Sequence, residues 1–207
     1  TPWLPCLLGW VVGDAARADR FLYDYRRTLA ELLAAHYYGT LAAVAHERGW
    51  TLYAEALEDR RPQLGDDLAM RAAADVPMGA MWTFAPENGP RPTYVADLRG
   101  AASVAHVYGA SHTGSEAFTA FEDPWTATPG SLKHVADLQL TLGVTRFCIH
   151  SSPHQPSTVP PPGMALAPFL GQTFSRNETW ASMARPWIAY LTRCAALLNE
   201  GEPAVEV

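Results

Sequence analysis

One glutamate follows a predicted strand in a way that suits the cleavage of a glycosidic bond. Glu116 comes after Gly114 and Ser115, which permit close backbone approach, and precedes the apolar pair Ala117 and Phe118, which would desolvate its carboxyl group. Cleavage of a glycosidic bond normally needs two carboxyl groups, one that donates a proton and one that activates water or attacks directly. A strand holds such a group rigidly. Glu116 is therefore the first catalytic candidate.

Glu55 is the second catalytic candidate. It ends the apolar run over residues 50–54, which is a predicted strand, and it is flanked by alanines. This position fits a catalytic carboxylate and an ordinary strand-end glutamate equally well. Glu58 and Asp59 follow and predict a solvated turn.

Three histidines have positions that suit hydrogen bonds to sugar hydroxyls. His150 ends a predicted strand beside two serines, and His112 lies in another predicted strand. His150 and His154 also have the four-residue spacing of zinc ligands on a helix, but Pro153 between them disfavours a helix. Substrate binding by His112, His150 and His154 is the first interpretation, and a metal-dependent hydrolase is the last.

Aromatic residues are abundant, with seven Trp, eight Tyr and seven Phe. Aromatic faces stack on the apolar faces of sugar rings, although most aromatic side chains fill a core. We take Trp82, Trp125 and Trp180 as substrate-binding candidates.

These candidates lie on a chain in which helical and strand-like patterns alternate, and this predicts an α/β fold with a parallel sheet. The predicted helices cover residues 18–48, 66–74, 94–108, 129–142 and 177–198, and the predicted strands cover 50–54, 76–82, 111–115 and 145–149. Because parallel strands end at one edge of their sheet, these elements would bring the candidates to one rim.

Four such units fit half of an eight-stranded (β/α)8 barrel, which usually needs about 250 residues. We predict one domain over residues 1–207, the C-terminal half of a barrel-type catalytic domain. A half-barrel has two open strand edges, so the expected partner is a second copy of the chain or the missing barrel half. A proline-rich loop over residues 151–176, which includes Phe169, Gln172 and Phe174, predicts a rigid wall of a pocket.

Composition excludes several functional classes. A hydrophobic fraction of 48% argues against disorder, and a net charge of -6 argues against a nucleic-acid partner. No apolar run reaches the length of about 18 residues that a membrane span needs. Cys6, Cys148 and Cys194 form no C-x-x-C pair, and Cys148, in an apolar run, and Cys194, in a helical pattern, are expected to be buried thiols. The sequence has no G-x-S-x-G elbow, P-loop or dinucleotide fingerprint, so no organic cofactor is expected.

Several motifs follow one another along nearly the whole chain. They are FLYDYRRT at 21–28, YYG at 37–39, ADVP at 74–77, AHVYG at 105–109, SEAFT at 115–119, RFCIHSSPHQP at 146–156, PG at 162–163 and RNETW at 176–180. In this order they resemble glycoside hydrolase family 106, the α-L-rhamnosidases.

The resemblance implies a catalytic (β/α)8 barrel that hydrolyses terminal α-linked L-rhamnose with two glutamates and a bound calcium ion. Glu116 matches the glutamate of the family's Glu-Ala-Phe-Thr motif, and Glu55 fits a strand-end glutamate. The family pattern has an acidic residue where this chain has Ala80. The resemblance also favours a periplasmic or secreted location over the cytoplasm. A start without Met suggests that the numbering begins inside a larger protein, so the missing signal peptide says nothing about destination.

Two functional hypotheses remain beside the metal-dependent one. The first is an α-L-rhamnosidase-like hydrolase that acts on rhamnose-containing glycans or glycosides. The second is a non-catalytic carbohydrate-binding or interaction domain derived from such an enzyme, which Ala80 and the short chain favour.

Overall fold

The structure is a computed structural model that describes residues 2–56, 65–121, 124–156, 158–167, 170, 173–201 and 204. Phe169, Gln172, Glu58 and Asp59 lie outside these ranges. The helices are α1 (Ala15–Leu32), α2 (Gly39–His46), α3 (Asp67–Arg71), α4 (Pro92–Tyr108), α5 (Pro129–Thr141) and α6 (Arg185–Asn199), and the strands are β1 (Tyr53–Ala54), β2 (Val76–Met81), β3 (Gly114–Ala117) and β4 (Arg146–Ile149). No helix in the described ranges is long and apolar enough to cross a membrane.

The four strands form one parallel sheet in the order β1-β2-β3-β4. Helices α3, α4 and α5 lie between successive strands in the chain, so each neighbour is reached by a β/α crossover. The predicted α/β class, with four β/α units of a partial (β/α)8 barrel, is confirmed. The prediction that residues 1–207 are the C-terminal half of a barrel stays a prediction.

Local capping explains where the crossover helices begin and end. Thr128 and Ser131 form a reciprocal capping box at the start of α5, in which the Thr128 hydroxyl accepts from the Ser131 amide at 3.2 Å. Asp14 accepts from the Arg17 amide at the start of α1. Gly109 ends α4 in the left-handed region, where a side chain would be strained. These capping contacts fix the residues at which the helices begin or end and the connecting loops take over.

The two faces of the sheet differ because successive strand residues point to opposite sides. Ser115 donates a hydrogen bond to Gln139 of α5 at 2.6 Å, and Met81 and Ala117 lie in the core cluster with residues of α4, α5 and α6. These side chains define the helix face of the sheet. Glu116, which lies between Ser115 and Ala117, therefore projects from the opposite face.

Three predicted elements have different bounds in the structure. Strand β3 begins at Gly114 and not at residue 111, because its pairing with both β2 and β4 starts at Gly114. Helix α6 begins at Arg185 and not at residue 177, because Pro186 occupies the first turn and a short 3-10 turn, Ala181–Met183, precedes it. Strand β1 shrinks to Tyr53–Ala54.

The proline-rich loop after β4 is tied to itself in the ranges that the structure describes. His154 and Met164 pair through their backbones, with N···O distances of 3.2 and 2.7 Å, and the Phe174 amide donates to the Ser151 carbonyl. The Asn177 side chain donates to Gln155. These links join described residues near the start of the loop to described residues near its end.

Candidate active site

Glu116 lies near the carboxyl end of the sheet between two other strands. Its register partners are Ala80 on β2 and Cys148 on β4. The side chain is half-buried, and its Oε1 accepts a short hydrogen bond from the hydroxyl of Thr119. Thr119 itself is buried, so this contact orients the carboxyl group from a fixed position.

Glu55 reaches the same face of the sheet from β1. In the register of β1 and β2, Ala54 pairs with Pro77, so the next residue, Glu55, falls opposite Met78. Residues 78 and 80 share the face of Glu116, because alternate residues of a strand point the same way. Burial, followed by the negative charge of Glu55, raises the pKa of the Cys148 thiol. By register, both glutamates therefore lie on one face of the sheet, with β2 between them.

Ala80 contributes no carboxyl group to this face. Its side chain is only 1% exposed and lies directly beside Glu116 in register. A buried methyl group thus stands where the resemblance leads us to expect an acidic residue.

A cavity of about 460 Å³ lies at the carboxyl end of β4. Its lining includes Ile149, Phe174, Glu178, Trp180 and Trp187. Ile149 packs against the core cluster to which Trp187 belongs. The cavity is therefore on the helix face of the sheet, whereas Glu116 projects from the other face.

The three candidate tryptophans have different surroundings. Trp180 lines the cavity, and its Nε1 donates to the Ala127 carbonyl at 2.9 Å. Trp82 packs against the core, with its ring stacked on Tyr94 and 4.5 Å from that of Phe121. Within the described ranges the buried Nε1 of Trp82 has no hydrogen-bond partner. Trp125 is 37% exposed and follows β3 in the chain.

The three candidate histidines are not brought together. His150 follows β4 directly, and its amide donates to the Ala117 carbonyl at 2.9 Å, so it lies at the carboxyl edge. His154 is exposed in the proline-rich loop. His112 precedes β3, and its Nδ1 lies 3.3 Å from the Thr145 hydroxyl. It therefore lies just before the amino end of β3, and its role in substrate binding stays a prediction.

The described residues do not fit a metal centre. Among them, no group of three His, Cys, Asp or Glu side chains could hold a metal ion. The acidic pair Asp67 and Asp97 converges on the Arg71 guanidinium instead. We therefore derive no step through calcium or zinc.

Two functional features were missed in the sequence. Thr119 belongs to the SEAFT motif, and its three-residue distance from Glu116 was the available signal. Glu178 is 7% exposed at the cavity and accepts from the Thr179 amide at 2.7 Å. It lies in the RNETW motif, two residues before the candidate Trp180, but nothing in the neighbouring sequence predicts that it is buried.

Comparison with known proteins identifies the family. The family model for alpha-L-rhamnosidase, glycoside hydrolase family 106, matches residues 1–207. The solved structure of a rhamnosidase from Novosphingobium sp. PP1Y is similar, with 54% sequence identity and a TM-score of 0.90 over 97% of this chain and 19% of that chain. A protein of Formosa agariphila named "Putative beta-glucuronidase" is 31% identical over 207 residues, which are 99% of this chain and 16% of that protein.

The chain thus spans less than a fifth of the length of these two relatives. The match to the family model nevertheless runs from the first residue to the last, and the backbone likeness extends through all four β/α units. By sequence and by fold, the chain belongs to the α-L-rhamnosidases of glycoside hydrolase family 106.

Proposed function

We propose that this chain forms part of the active site of an α-L-rhamnosidase-like glycoside hydrolase, with Glu116 as a catalytic carboxylate. The observation that carries the proposal is the position of Glu116 near the carboxyl end of β3, on the face away from the helices, with its Oε1 held by Thr119. Barrel enzymes build their active sites at this end of their strands. A carboxyl group fixed there is presented to a substrate without a large loss of side-chain entropy.

Glu55 is the proposed second carboxylate. Strands β1 and β3 are two strand spacings apart, which is about 10 Å at the backbone. Carboxyl groups about 6.5–9.5 Å apart leave room for a water molecule and invert the anomeric centre, whereas retaining enzymes hold them at about 5–5.5 Å. The spacing of the strands therefore favours an inverting reaction, in which one glutamate protonates the leaving oxygen and the other activates water.

His150 and Trp125 are the proposed sugar contacts. Both follow the carboxyl end of a strand, His150 after β4 and Trp125 after β3. An imidazole nitrogen can bond a sugar hydroxyl, and an exposed indole can cover the apolar face of the ring. We assign Trp180, Trp82 and His154 to the surrounding structure and not to direct sugar contacts. Trp180 and Trp82 pack on the helix side of the sheet, and His154 lies in the proline-rich loop.

The experiment measures release of the aryl group from an aryl α-L-rhamnoside by the chain and by the longest polypeptide that contains it. Glu116→Gln is expected to lower kcat by about 10²–10⁴, the usual contribution of an acid or base. Glu47→Gln is the matched control, because Glu47 is an exposed glutamate that directly follows α2 and precedes the amino end of β1. An unchanged kcat in the Glu116 variant would refute the catalytic assignment.

An aryl β-D-glucuronide, assayed in parallel, tests the substrate class that the name of the Formosa agariphila relative suggests. We expect turnover of the rhamnoside alone. Turnover of the glucuronide alone would contradict the proposed substrate.

A non-catalytic carbohydrate-binding domain is the second candidate function, and the buried methyl group of Ala80 beside Glu116 favours it. Calorimetry with L-rhamnose separates the two functions. Heat of binding without turnover of the aryl rhamnoside would support the second candidate and contradict the first.

A further inference from the structure

Among the described residues, the edge of β2 that faces β1 has a strand partner along its first half only. Near the start of β2, the Val76 amide donates to the Leu52 carbonyl at 3.1 Å, so this residue directs its backbone groups toward β1. Alternate residues of a strand direct their backbone groups to the same side, so Met78 and Ala80 face that edge as well. Strand β1 ends at Ala54, which pairs with Pro77. The second half of this edge therefore needs other partners.

Two side chains take the place of the missing strand. Arg71 donates through one terminal nitrogen to the Met78 carbonyl, and Asp97 accepts from the Ala80 amide at 2.7 Å. The other terminal nitrogen of Arg71 donates to Asp97, which links the two contacts. The pair thus supplies one donor and one acceptor in the order in which a parallel strand would supply them.

This edge pair, Arg71 and Asp97, is buried and fixed by further contacts. The Arg71 side chain is 1% exposed and that of Asp97 is 8% exposed. Arg71 Nε also donates to Asp67 at 2.9 Å, one turn earlier in α3. Burial raises the pKa of Asp97, and the Arg71 charge opposes this rise. A planar guanidinium with several donors can satisfy all of these acceptors at once, which a lysine cannot do.

Gly79 makes the approach of Asp97 to this edge feasible. A Cβ atom at Gly79 would lie 3.0 Å from the backbone carbonyl carbon, the carbonyl oxygen and the Cγ atom of Asp97. The absence of a side chain at this position lets α4 pack directly on β2. The carboxyl group of Asp97 can then reach the amide of the next residue.

We infer that Arg71 and Asp97 are positioning residues. They take the place of a strand along the second half of the edge of β2 that faces β1, and they thereby hold Ala80 beside Glu116. Ala80 is the register partner of Glu116, so a shift of β2 at this level moves the strand on which Glu116 is held. The pair also covers this edge of β2 at the level where β1 ends and the chain continues to Glu55. The inference rests on the proposed function for its catalytic consequence, but its structural part can be measured separately.

Hydrogen exchange of the Ala80 amide tests the structural part in the unaltered protein. The amide is expected to be protected to within about tenfold of the Val76 amide, which donates to the backbone carbonyl of Leu52 just before β1. Exchange as fast as that of an exposed loop amide would overturn the inference, whether or not any variant folds.

Two variants test the positioning role. The double variant Arg71→Met/Asp97→Leu removes the two charges of the edge pair together, so neither is left buried without the other, and it leaves the edge without polar partners. Asp67, which is 22% exposed, loses one cationic partner in this variant. We expect at least tenfold faster exchange at Ala80 and a kcat at least tenfold lower with KM within about threefold. Asp97→Asn keeps one oxygen that can accept from Ala80 but turns an NH2 group toward Arg71, so both quantities should lie between those of the double variant and those of the unaltered protein.

Asp137→Leu is the matched control, because Asp137 also pairs with a cation from a helix but is partly exposed. Equal exchange and equal kcat in the double variant and in Asp97→Asn would overturn the positioning role. An unchanged rate in Glu116→Gln together with the expected exchange at Ala80 would instead refute the proposed function and leave the edge assignment standing.

Discussion

At the scale of single residues, Thr119 decides how Glu116 is presented. Its hydroxyl donates to the Glu116 carboxyl group, and the threonine is 1% exposed. A hydrogen bond to a charged group contributes about 1.5–3 kcal/mol. If this hydrogen bond is needed to orient the carboxyl group, its loss would cost a free energy that corresponds to a large fall in rate.

Replacement of Thr119 by valine tests this contact. The change keeps the shape of the side chain and removes the hydroxyl, so kcat on the aryl rhamnoside is expected to fall by about tenfold to a hundredfold, with Thr119→Ser close to the unaltered protein. Thr141→Val is the control, since Thr141 is exposed and bonds only its own helix. A kcat for Thr119→Val equal to that of the control would show that the hydroxyl does not orient Glu116.

At the scale of elements, the contact between α4 and β2 depends on a missing side chain. Gly79 has a buried position where any Cβ atom would meet the backbone of Asp97 at 3.0 Å. Backbone atoms cannot move aside as the end of a flexible side chain can. The helix and the strand must therefore separate if the glycine is replaced.

Gly79→Ala is expected to lower the free energy of unfolding by about 1–3 kcal/mol, the usual cost of overpacking. Gly130→Ala in the first turn of α5 is the control, because its Cβ atom would meet nothing closer than 3.7 Å and alanine favours a helix. Urea unfolding measures both variants. A Gly79→Ala variant as stable as the control would mean that α4 and β2 do not pack as closely as described.

The elements also show what the sequence can predict. Strands β2 and β4 lie close to their predicted ranges because each is a compact apolar run. The start of α6 was missed because the turn around Trp180 also has helical spacing, and only Pro186 marks the true beginning. Glu116 was identified from its neighbours in the chain. The pair of Arg71 and Asp97 was not, because residues 26 apart meet only when α3 and α4 pack on β2.

At the scale of the whole molecule, the sheet has two outer strands. Among the described strands, β1 and β4 each pair on one side only. Large apolar side chains are also exposed on the N-terminal segment, among them Trp10, Tyr23 and Trp50. Open edges and exposed apolar surface both promote association.

We therefore predict that the isolated 207-residue chain self-associates in solution. Sedimentation velocity over a range of concentrations should give species heavier than the 22.6 kDa of one chain. A longer polypeptide whose added strands pair with β1 and β4 should associate less, because those strands cover both open edges. A strictly monomeric 207-residue chain would contradict the prediction.

The alternation along β3 has a consequence for how this segment can change. Within Gly114–Ala117, Ser115 and Ala117 serve the packing of the helices, and Glu116 serves the opposite surface. Point substitutions can alter one role and spare the other. A single inserted or deleted residue, however, would turn Glu116 inward against α5 and expose an apolar neighbour, so stability and chemistry would be lost together. In this strand the length of the segment is under a stricter constraint than the identity of most of its residues.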